Sequence, residues 1–397
     1  MIQTISLLLL ILVSVISLTT VVILLIWRLI AEATNRTNKK QLERLRRSVV
    51  FFITTVILNS GIIALSQVFA STPKILDKKQ NIPPKSITEL AKIELNGRKQ
   101  WISIRGFDDS KPILLFLAGG PGGTQMAAVR HDLAELEKHF IVVGWDQPGS
   151  GKSYHAQAIK DITVETYISD GYALTRYLTQ RFGQEKIYLV GESWGSALGI
   201  FLVDRYPEYY HGFIGTGQMV DFVETELLDY KKAMEIARDK NDIATLKKLE
   251  TNGPPPYYGK DVTWKSAVYL NYLSAYMASD PAIHNPGYKT LRDIFSSEYG
   301  LLDKINFFRG IINTYNHVYQ KLYGIDLRNG YTRLNVPVFF FEGRHDINAP
   351  PSLVEEYFEI LECPKKEIVW FEHSGHSPWI NESDKFVEEL LLRFKGF

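Results

Sequence analysis

Two long apolar runs without a single charged residue open the chain. The first extends over residues 2–27 and is dominated by Leu, Ile and Val, and the second extends over residues 49–73. As a helix, each run is long enough to cross about 30 Å of hydrocarbon. The pattern therefore predicts a hairpin of two transmembrane helices, with the first over residues 1–30, a loop over residues 31–48 and the second over residues 49–70.

The segment between the two runs is basic. Its charged residues are mostly Lys and Arg, among them Arg36, Lys39, Lys40, Arg44 and Arg46, and only Glu32 and Glu43 are acidic. Because Lys and Arg collect on the cytoplasmic side, the loop is predicted to lie on the cytoplasmic side of the cell membrane. Everything after residue 73 is predicted to lie outside the cytoplasm. A second interpretation stays open: Val68-Phe69-Ala70 before Ser71 resembles a signal-peptidase site, and cleavage there would release the rest of the chain.

Beyond a linker over residues 71–85, short strand-like runs alternate with helix-like stretches. This alternation predicts a mostly parallel sheet with helices on both faces. A hairpin is expected to turn at Asn96-Gly97, which joins strands over 91–95 and 100–105. The further predicted strands are 112–117, 139–145, 186–190 and 211–215, and the predicted helices are 127–138, 164–181 and 194–206.

The alternation stops over residues 219–334, where helix-like stretches rich in aromatic residues predict a helical cap inserted into the sheet. The sheet resumes with predicted strands over 336–342 and 367–371 and helices over 351–360 and 385–393. The first part of the core is accordingly expected over residues 86–218 and the second over residues 335–397.

The composition of the chain bears on its partners, its disulfides and its cofactors. The 45 Lys and Arg residues balance 44 Asp and Glu residues, so the formal net charge of +1 gives no reason to expect a nucleic-acid partner. With Cys363 as the only cysteine, an intramolecular disulfide is excluded. Nothing in the sequence indicates a metal ion or another cofactor, and it leaves the oligomeric state open.

The stretch 186–199 carries the strongest chemical signal. A strand-like run leads into Gly191-Glu192-Ser193-Trp194-Gly195 and then into a helix-like segment. In this context Gly-x-Ser-x-Gly predicts a nucleophilic serine, Ser193, on a sharp turn between strand and helix. A glycine-rich connection without chemistry is the alternative.

A serine nucleophile needs a base and an acid that orients the base, and in such sheets the acid precedes the base along the chain. Asp346 follows the predicted strand 336–342, and His376 follows the next strand. Glu342 is a second candidate for the acid and His373 for the base. The oxyanion of the reaction needs two backbone N–H donors, and one is expected from Trp194 and the other from the glycine-rich loop 117–123.

A second glycine-containing stretch, 146–153, ends in Gly-Lys-Ser like a phosphate-binding loop. Such a loop requires Gly where Asp146 stands, and no apolar helix pattern follows Ser153. Nucleotide binding is therefore not predicted.

Together these motifs resemble the proline iminopeptidase branch of the α/β-hydrolases, and the resemblance covers residues 86–397. It is carried by Gly119-Gly120-Pro121-Gly122, by the stretch from Trp145 to Ser153, and by 191–195 with Asp346 and His376. The resemblance implies an α/β-hydrolase fold and the removal of an N-terminal residue, often proline, from peptides. It also implies that Ser193 is the nucleophile, that His376 is the base oriented by Asp346, and that Gly120 and Trp194 supply the oxyanion amides.

Two departures from the family pattern weaken the inference that this chain acts on the same substrates as the family. Ala118 stands where the family usually has His, and Pro148 stands where it usually has Arg. Family members that bind a free α-amino group use carboxylates of the cap, which makes Glu224 and Glu226 the candidate substrate-binding residues. A solvated helix face is the alternative for either of them.

Three functions remain as hypotheses. The first is a membrane-anchored serine aminopeptidase that acts on short peptides. The second is a carboxylic ester hydrolase whose aromatic cap admits a lipophilic substrate from the bilayer. The third is a non-catalytic binding domain on a hydrolase scaffold, since a fold does not dictate a function.

Overall fold

Two long helices make up most of the first of two units in the computed structural model, which describes residues 2–285 and 287–394. Helix α1 spans Ile2–Ala33 and α2 spans Lys39–Val68, and both are long and apolar enough to cross a membrane. The limits of the cytoplasmic loop at 31 and 48 stay a prediction, but residues 34–38 alone separate the two described helices, so α2 begins within this segment. The cause is a capping box, in which Asn38 and Gln41 start α2 within the basic segment.

This first unit comprises Met1–Ala70 together with Tyr299–Lys304. Its two long helices are joined by a polar contact, since Asn59 Nδ2 donates a hydrogen bond to Ser14 Oγ at 2.8 Å. The short segment is held by α2, because the backbone N–H of Leu301 donates to Ser66 Oγ at 3.0 Å.

The second unit, Ser71–Glu298 and Ile305–Phe397, is built on an eight-stranded sheet of order β1-β2-β4-β3-β5-β6-β7-β8. β1, β2 and β4 pair antiparallel and all other neighbours pair parallel. The strands are β1 Ile87–Leu95, β2 Arg98–Gly106, β3 Ile113–Leu117, β4 Ile141–Asp146, β5 Ile187–Glu192, β6 Tyr210–Thr216, β7 Val338–Gly343 and β8 Lys366–Phe371.

The predicted hairpin is present and turns at Asn96-Gly97. Both residues have positive φ, 50° and 77°, as a two-residue turn between twisted strands requires. The central strands are buried on both faces: in β3, Leu115 belongs to the apolar core on one side of the sheet and Phe116 to the core on the other. Because both faces are buried, the sequences of these strands are continuous apolar runs.

Helices cover the sheet and fill the interval between β6 and β7. The predicted helix over 127–138 is interrupted, because α3 ends at Asp132 and a 3-10 turn follows over Ala134–Lys138. The helices before β6 are α3 Met126–Asp132, α4 Val164–Phe182 and α5 Trp194–Arg205, and those after β7 are α12 Pro351–Ile360, α13 Pro378–Asn381 and α14 Ser383–Phe394.

Between β6 and β7, the helical insertion has an apolar core of its own, to which Leu249, Tyr269 and Leu273 contribute. The limits of a cap domain at 219 and 334 stay a prediction. The helices of this interval are α6 Phe222–Asp239, α7 Ile243–Asn252, α8 Val262–Ser279, α9 Thr290–Ile294, α10 Leu301–Arg309 and α11 Tyr315–Val318.

Candidate active site

Ser193 stands on a sharp turn between β5 and α5. Its backbone has φ 52° and ψ −123°, a conformation that a non-glycine residue adopts only when its surroundings enforce it. The surroundings are tight: a Cβ at Gly191 would lie 2.2 Å from Gly195 O, and one at Gly195 would lie 2.2 Å from Leu117 O. The two glycines of the motif are therefore required by close packing, and the turn exposes Ser193 at the carboxyl end of the sheet.

The two predicted oxyanion donors lie in suitable surroundings. Trp194 is the first residue of α5, so its N–H has no partner within the helix. In the loop after β3, the N–H of Gly119 donates to Gln125 Oε1 at 3.2 Å, and Gly120 lines the same cavity as Ser193. The assignment of Gly120 and Trp194 as oxyanion donors stays a prediction.

Asp346 and His376 meet at the ends of β7 and β8. His376 Nδ1 lies 2.9 Å from Asp346 Oδ2. The other carboxylate oxygen, Oδ1, accepts hydrogen bonds from the backbone N–H groups of Asn348 and Ala349 at 2.7 and 2.9 Å. These contacts hold the carboxylate in one orientation and direct Nε2 of the imidazole away from it.

The electrostatic surroundings favour a protonated His376. Burial alone would lower its pKa, but the charge of Asp346 and its hydrogen bond, together with the charge of Glu192, raise the pKa of His376 to about 9. An imidazole of this kind is a strong base.

The structure brings neither alternative candidate into this arrangement. Glu342 is fully buried within β7, its Oε1 accepts from the N–H of Gln218, and burial followed by the charge of Asp346 raises its pKa well above the usual range. His373 stacks on His284 with ring centroids 4.2 Å apart. His376 is the histidine that contacts Asp346.

A cavity of about 260 Å³ lies over the turn. In the part of the chain that the structure describes, Ser193 Oγ and His376 line this cavity but are not within hydrogen-bond distance of each other. Such contacts commonly shorten only when substrate binds. The cavity is lined by Gly119, Gly120, Gly123, Thr124, Gln125, Ala128, Glu192, Ser193, Tyr288, Thr290, Asp293, Phe307, Ile311 and His376.

Glu192 is a functional candidate that the motif did not single out, since it occupies a variable position of Gly-x-Ser-x-Gly. It lines the cavity, yet only 1% of its surface is accessible. A sequence signal existed, because a carboxylate at the end of an otherwise apolar strand rarely lies buried without a reason. Four neutral donors contact it, from Gln125, Tyr288, Ser377 and Trp379.

The two glutamates predicted to bind substrate lie elsewhere. Glu224 pairs with Arg328 at 2.6 Å. Glu226 is fully buried in the insertion and accepts hydrogen bonds from Tyr269 and Tyr319. Burial, partly offset by these hydrogen bonds, raises the pKa of Glu226 to about 7. Neither residue lines the cavity over Ser193.

No group of three or more His, Cys, Asp or Glu side chains is arranged to hold a metal ion within residues 2–285 and 287–394. The stretch that resembles a phosphate-binding loop forms a 3-10 turn over Gly151–Ser153, and the N–H of Lys152 donates to Asp146 Oδ2 at 2.8 Å. This carboxylate therefore shapes the loop.

The sequence of this chain matches the family model described as alpha/beta hydrolase fold over residues 112–383. The chain belongs to the α/β-hydrolase fold family. The expected fold is thereby confirmed, and the chain is assigned as a hydrolase.

Its relatives include named peptidases. The probable aminopeptidase YbaC of Bacillus subtilis strain 168 is 32% identical over 314 residues, which cover 77% of this chain and 96% of that protein. The proline iminopeptidase of Saccharolobus solfataricus is 26% identical over 285 residues, which cover 70% and 83%. These names confirm the resemblance to the proline iminopeptidase branch.

Solved structures share the fold at low identity. The proline iminopeptidase of Mycobacterium smegmatis has a TM-score of 0.56 at 16% identity and covers 78% of this chain and 98% of its own. A membrane phospholipase A has a TM-score of 0.55 at 14% identity and covers 89% and 96%. At these identities the likeness concerns the fold alone.

Proposed function

We propose that this protein is a serine hydrolase of the aminopeptidase type, which releases N-terminal residues from short peptides through an acyl-enzyme. One observation carries the proposal. Ser193, held at positive φ on its turn, shares a cavity with His376, whose Nδ1 is bound by Asp346.

In the proposed reaction, Ser193 Oγ attacks the carbonyl carbon of the scissile amide while His376 Nε2 takes its proton. The N–H groups of Gly120 and Trp194 stabilise the oxyanion. His376 then returns the proton to the leaving amine as the C–N bond breaks, which leaves the acyl group on Ser193. A water molecule, deprotonated by His376, attacks the acyl-enzyme and frees the acid and the serine.

The substrate class rests on the relatives. A relative named as a probable aminopeptidase and another named as a proline iminopeptidase, which match 77% and 70% of this chain, support a peptide substrate with a free N-terminus. Ala118 and Pro148, where the family usually has His and Arg, leave the preferred N-terminal residue open.

A specific feature favours carboxylic ester hydrolysis as the second candidate. Phe307 and Ile311 line the cavity, and the neighbouring apolar side chains Leu291, Phe308 and Ile311 are exposed by 70%, 49% and 38%. An exposed apolar patch next to a cavity suits a lipophilic acyl group.

The two apolar helices support a further part of the proposal, in which α1 and α2 anchor the protein in the lipid of the cell membrane. With the basic turn inside, the catalytic unit would work outside the cytoplasm.

Activity measurements test the proposal. The full chain, purified in detergent, is assayed on proline p-nitroanilide and p-nitrophenyl butyrate, with labelling by a fluorophosphonate and with Ser193→Ala as the comparison. Hydrolysis of the anilide that Ser193→Ala abolishes is the expected result. Hydrolysis of the ester alone would favour the second candidate, and absence of both turnover and labelling would indicate a binding domain without catalysis.

A further inference from the structure

Glu192 is a buried carboxylate beside the proposed nucleophile that has no Lys or Arg partner. In the part of the chain that the structure describes, no Lys or Arg nitrogen lies within 4.0 Å of its oxygens. A buried carboxylate is unfavourable unless it is hydrogen-bonded and its charge is compensated. The four donors satisfy the hydrogen bonds, but all of them are neutral.

The other acid of the cavity provides a contrast. Asp293 also lines the cavity, and its Oδ1 pairs with Arg292 Nε at 2.7 Å. Its charge is therefore compensated within the protein. Among the carboxylates that line the cavity, Glu192 is the one whose charge stays available to a ligand.

The four donors are distributed unevenly over the two oxygens of Glu192. Oε1 accepts from Tyr288, Ser377 and Trp379, whereas Oε2 accepts from Gln125 alone. Since each carboxylate oxygen has two lone pairs, Oε2 can accept one more hydrogen bond.

The loop after β3 packs closely against this oxygen. A Cβ at Gly119 would come within 2.9 Å of Oε2 and within 3.3 Å of Ser193 Cβ, so the absence of a side chain allows this close approach. The space for a ligand is the cavity of about 260 Å³, which Gly119, Glu192 and Ser193 all line.

We propose that Glu192 Oε2 binds the positively charged amine at the N-terminus of the substrate, an inference that rests on the proposed aminopeptidase function. Because Glu192 and Ser193 line the same cavity, an amine bound at Glu192 brings the adjoining carbonyl towards the nucleophile. The ammonium group supplies a positive charge and a further hydrogen bond to Oε2. Glu192, rather than Glu224 or Glu226, then selects substrates with a free N-terminus.

Binding measured without turnover tests the inference. The full chain with Ser193→Ala, which cannot form the acyl-enzyme, is titrated calorimetrically in detergent with prolinamide and with cyclopentanecarboxamide, which replaces the ring amine by a methylene group. We expect this protein to bind prolinamide about 10- to 100-fold more tightly, as the loss of a charged hydrogen bond implies. Equal affinity for the two compounds would overturn the inference.

Two substitutions then locate the effect. Glu192→Gln keeps the size of the side chain and removes its charge, so it should abolish the preference for prolinamide, whereas Asp293→Asn in the same cavity should retain it. A Glu192→Gln protein that is folded by circular dichroism and still prefers prolinamide would contradict the assignment.

Labelling of Ser193 by the fluorophosphonate separates this inference from the proposed function. An enzyme that labels and turns over but does not prefer prolinamide refutes the role of Glu192 alone. A protein that prefers prolinamide but neither labels nor turns over refutes the catalytic proposal.

Discussion

The α-carbon of Gly217 packs directly against the ring of His376. A Cβ at Gly217 would lie 2.9 Å from Cε1 and 3.0 Å from Nδ1 of the imidazole, and the residue has a φ of 51°. The loop after β6 thus helps to fix the position of the proposed base, and the absence of a side chain at residue 217 makes this close packing possible.

Gly217→Ala should therefore displace His376 and lower kcat by at least about tenfold, in line with the sensitivity of catalysis to misplacement by about 1 Å. Gly183→Ala is a matched control, because Gly183 also has positive φ, 64°, but nothing lies within 4 Å of the added Cβ. Both variants should lose about 1–2 kcal/mol of unfolding free energy from backbone strain. Equal activity of the two variants in steady-state assays would refute this role of Gly217.

The pKa of His376 predicts an alkaline pH profile. With a pKa of about 9, most of the free enzyme carries imidazolium at neutral pH, so kcat/KM should rise with pH until about pH 9. A profile that is already flat from pH 7 upward would contradict the raised pKa.

Asp346→Asn removes the negative charge that helps to raise the pKa of His376. The rising limb should move to lower pH, and kcat should fall by about 10⁴ because the amide favours the wrong tautomer of the imidazole. Asp239→Asn, at an exposed position, serves as the control and should leave the profile unchanged.

The same pKa has a consequence for stability. Since folding raises the pKa of His376 from 6.5 to about 9, the charged pair with Asp346 stabilises the fold fully below about pH 6.5. This contribution is lost as the pH rises to about 9. Urea unfolding at several pH values should show the loss in the wild-type protein and a weaker one in Asp346→Asn.

Glu226 provides a second stability test, in which the folded protein again loses stability as the pH rises. Its pKa is raised to about 7 mainly by burial, so ionisation disfavours the folded state progressively as the pH rises from 4.5 through 7. Glu226→Gln should therefore gain in Tm relative to wild type as the pH increases over this range.

The kinetics of Glu226→Gln test whether Glu226 binds substrate, as the sequence predicts. Glu226 does not line the cavity, so Glu226→Gln should change KM for proline p-nitroanilide by less than about threefold, the size of a minor contact loss. A KM at least tenfold higher would reinstate Glu226 as a substrate-binding residue.

The single cysteine makes the membrane orientation measurable. In a Cys363→Ala background, Glu94→Cys places a thiol at an exposed position of β1, and Arg36→Cys places one in the turn between α1 and α2. A membrane-impermeant maleimide should label residue 94 but not residue 36 in intact cells. The reverse pattern would invert the proposed orientation, and a membrane-free product lacking residues 1–70 would indicate cleavage after Ala70.

The sheet was predictable because its strands are buried on both faces. β5 and β7 were placed to within two residues at each end, since an uninterrupted apolar run bounded by Gly or Pro leaves few alternatives. The helical insertion was less predictable. Its aromatic residues pack in a small core of their own, and it lacks the alternation of strands and helices that located the elements of the sheet.

The candidate site also has one part that could be predicted from the sequence and one part that could not. Ser193, Asp346 and His376 follow strand ends, so their convergence could be inferred from the order of the strands alone. The surroundings of Glu192 could not, because its partners Tyr288 and Trp379 come from an irregular loop and from a four-residue helix. Which side chains such segments direct at a carboxylate depends on tertiary packing.

His376 follows β8, which is one of the two edge strands of the described sheet and pairs with β7. During synthesis Ser193 is added to the chain 183 residues before this histidine. On the proposed mechanism, a nascent chain that already contains the serine turn has no base for it. Hydrolysis would then begin only after β8 has joined the sheet and His376 has reached the cavity.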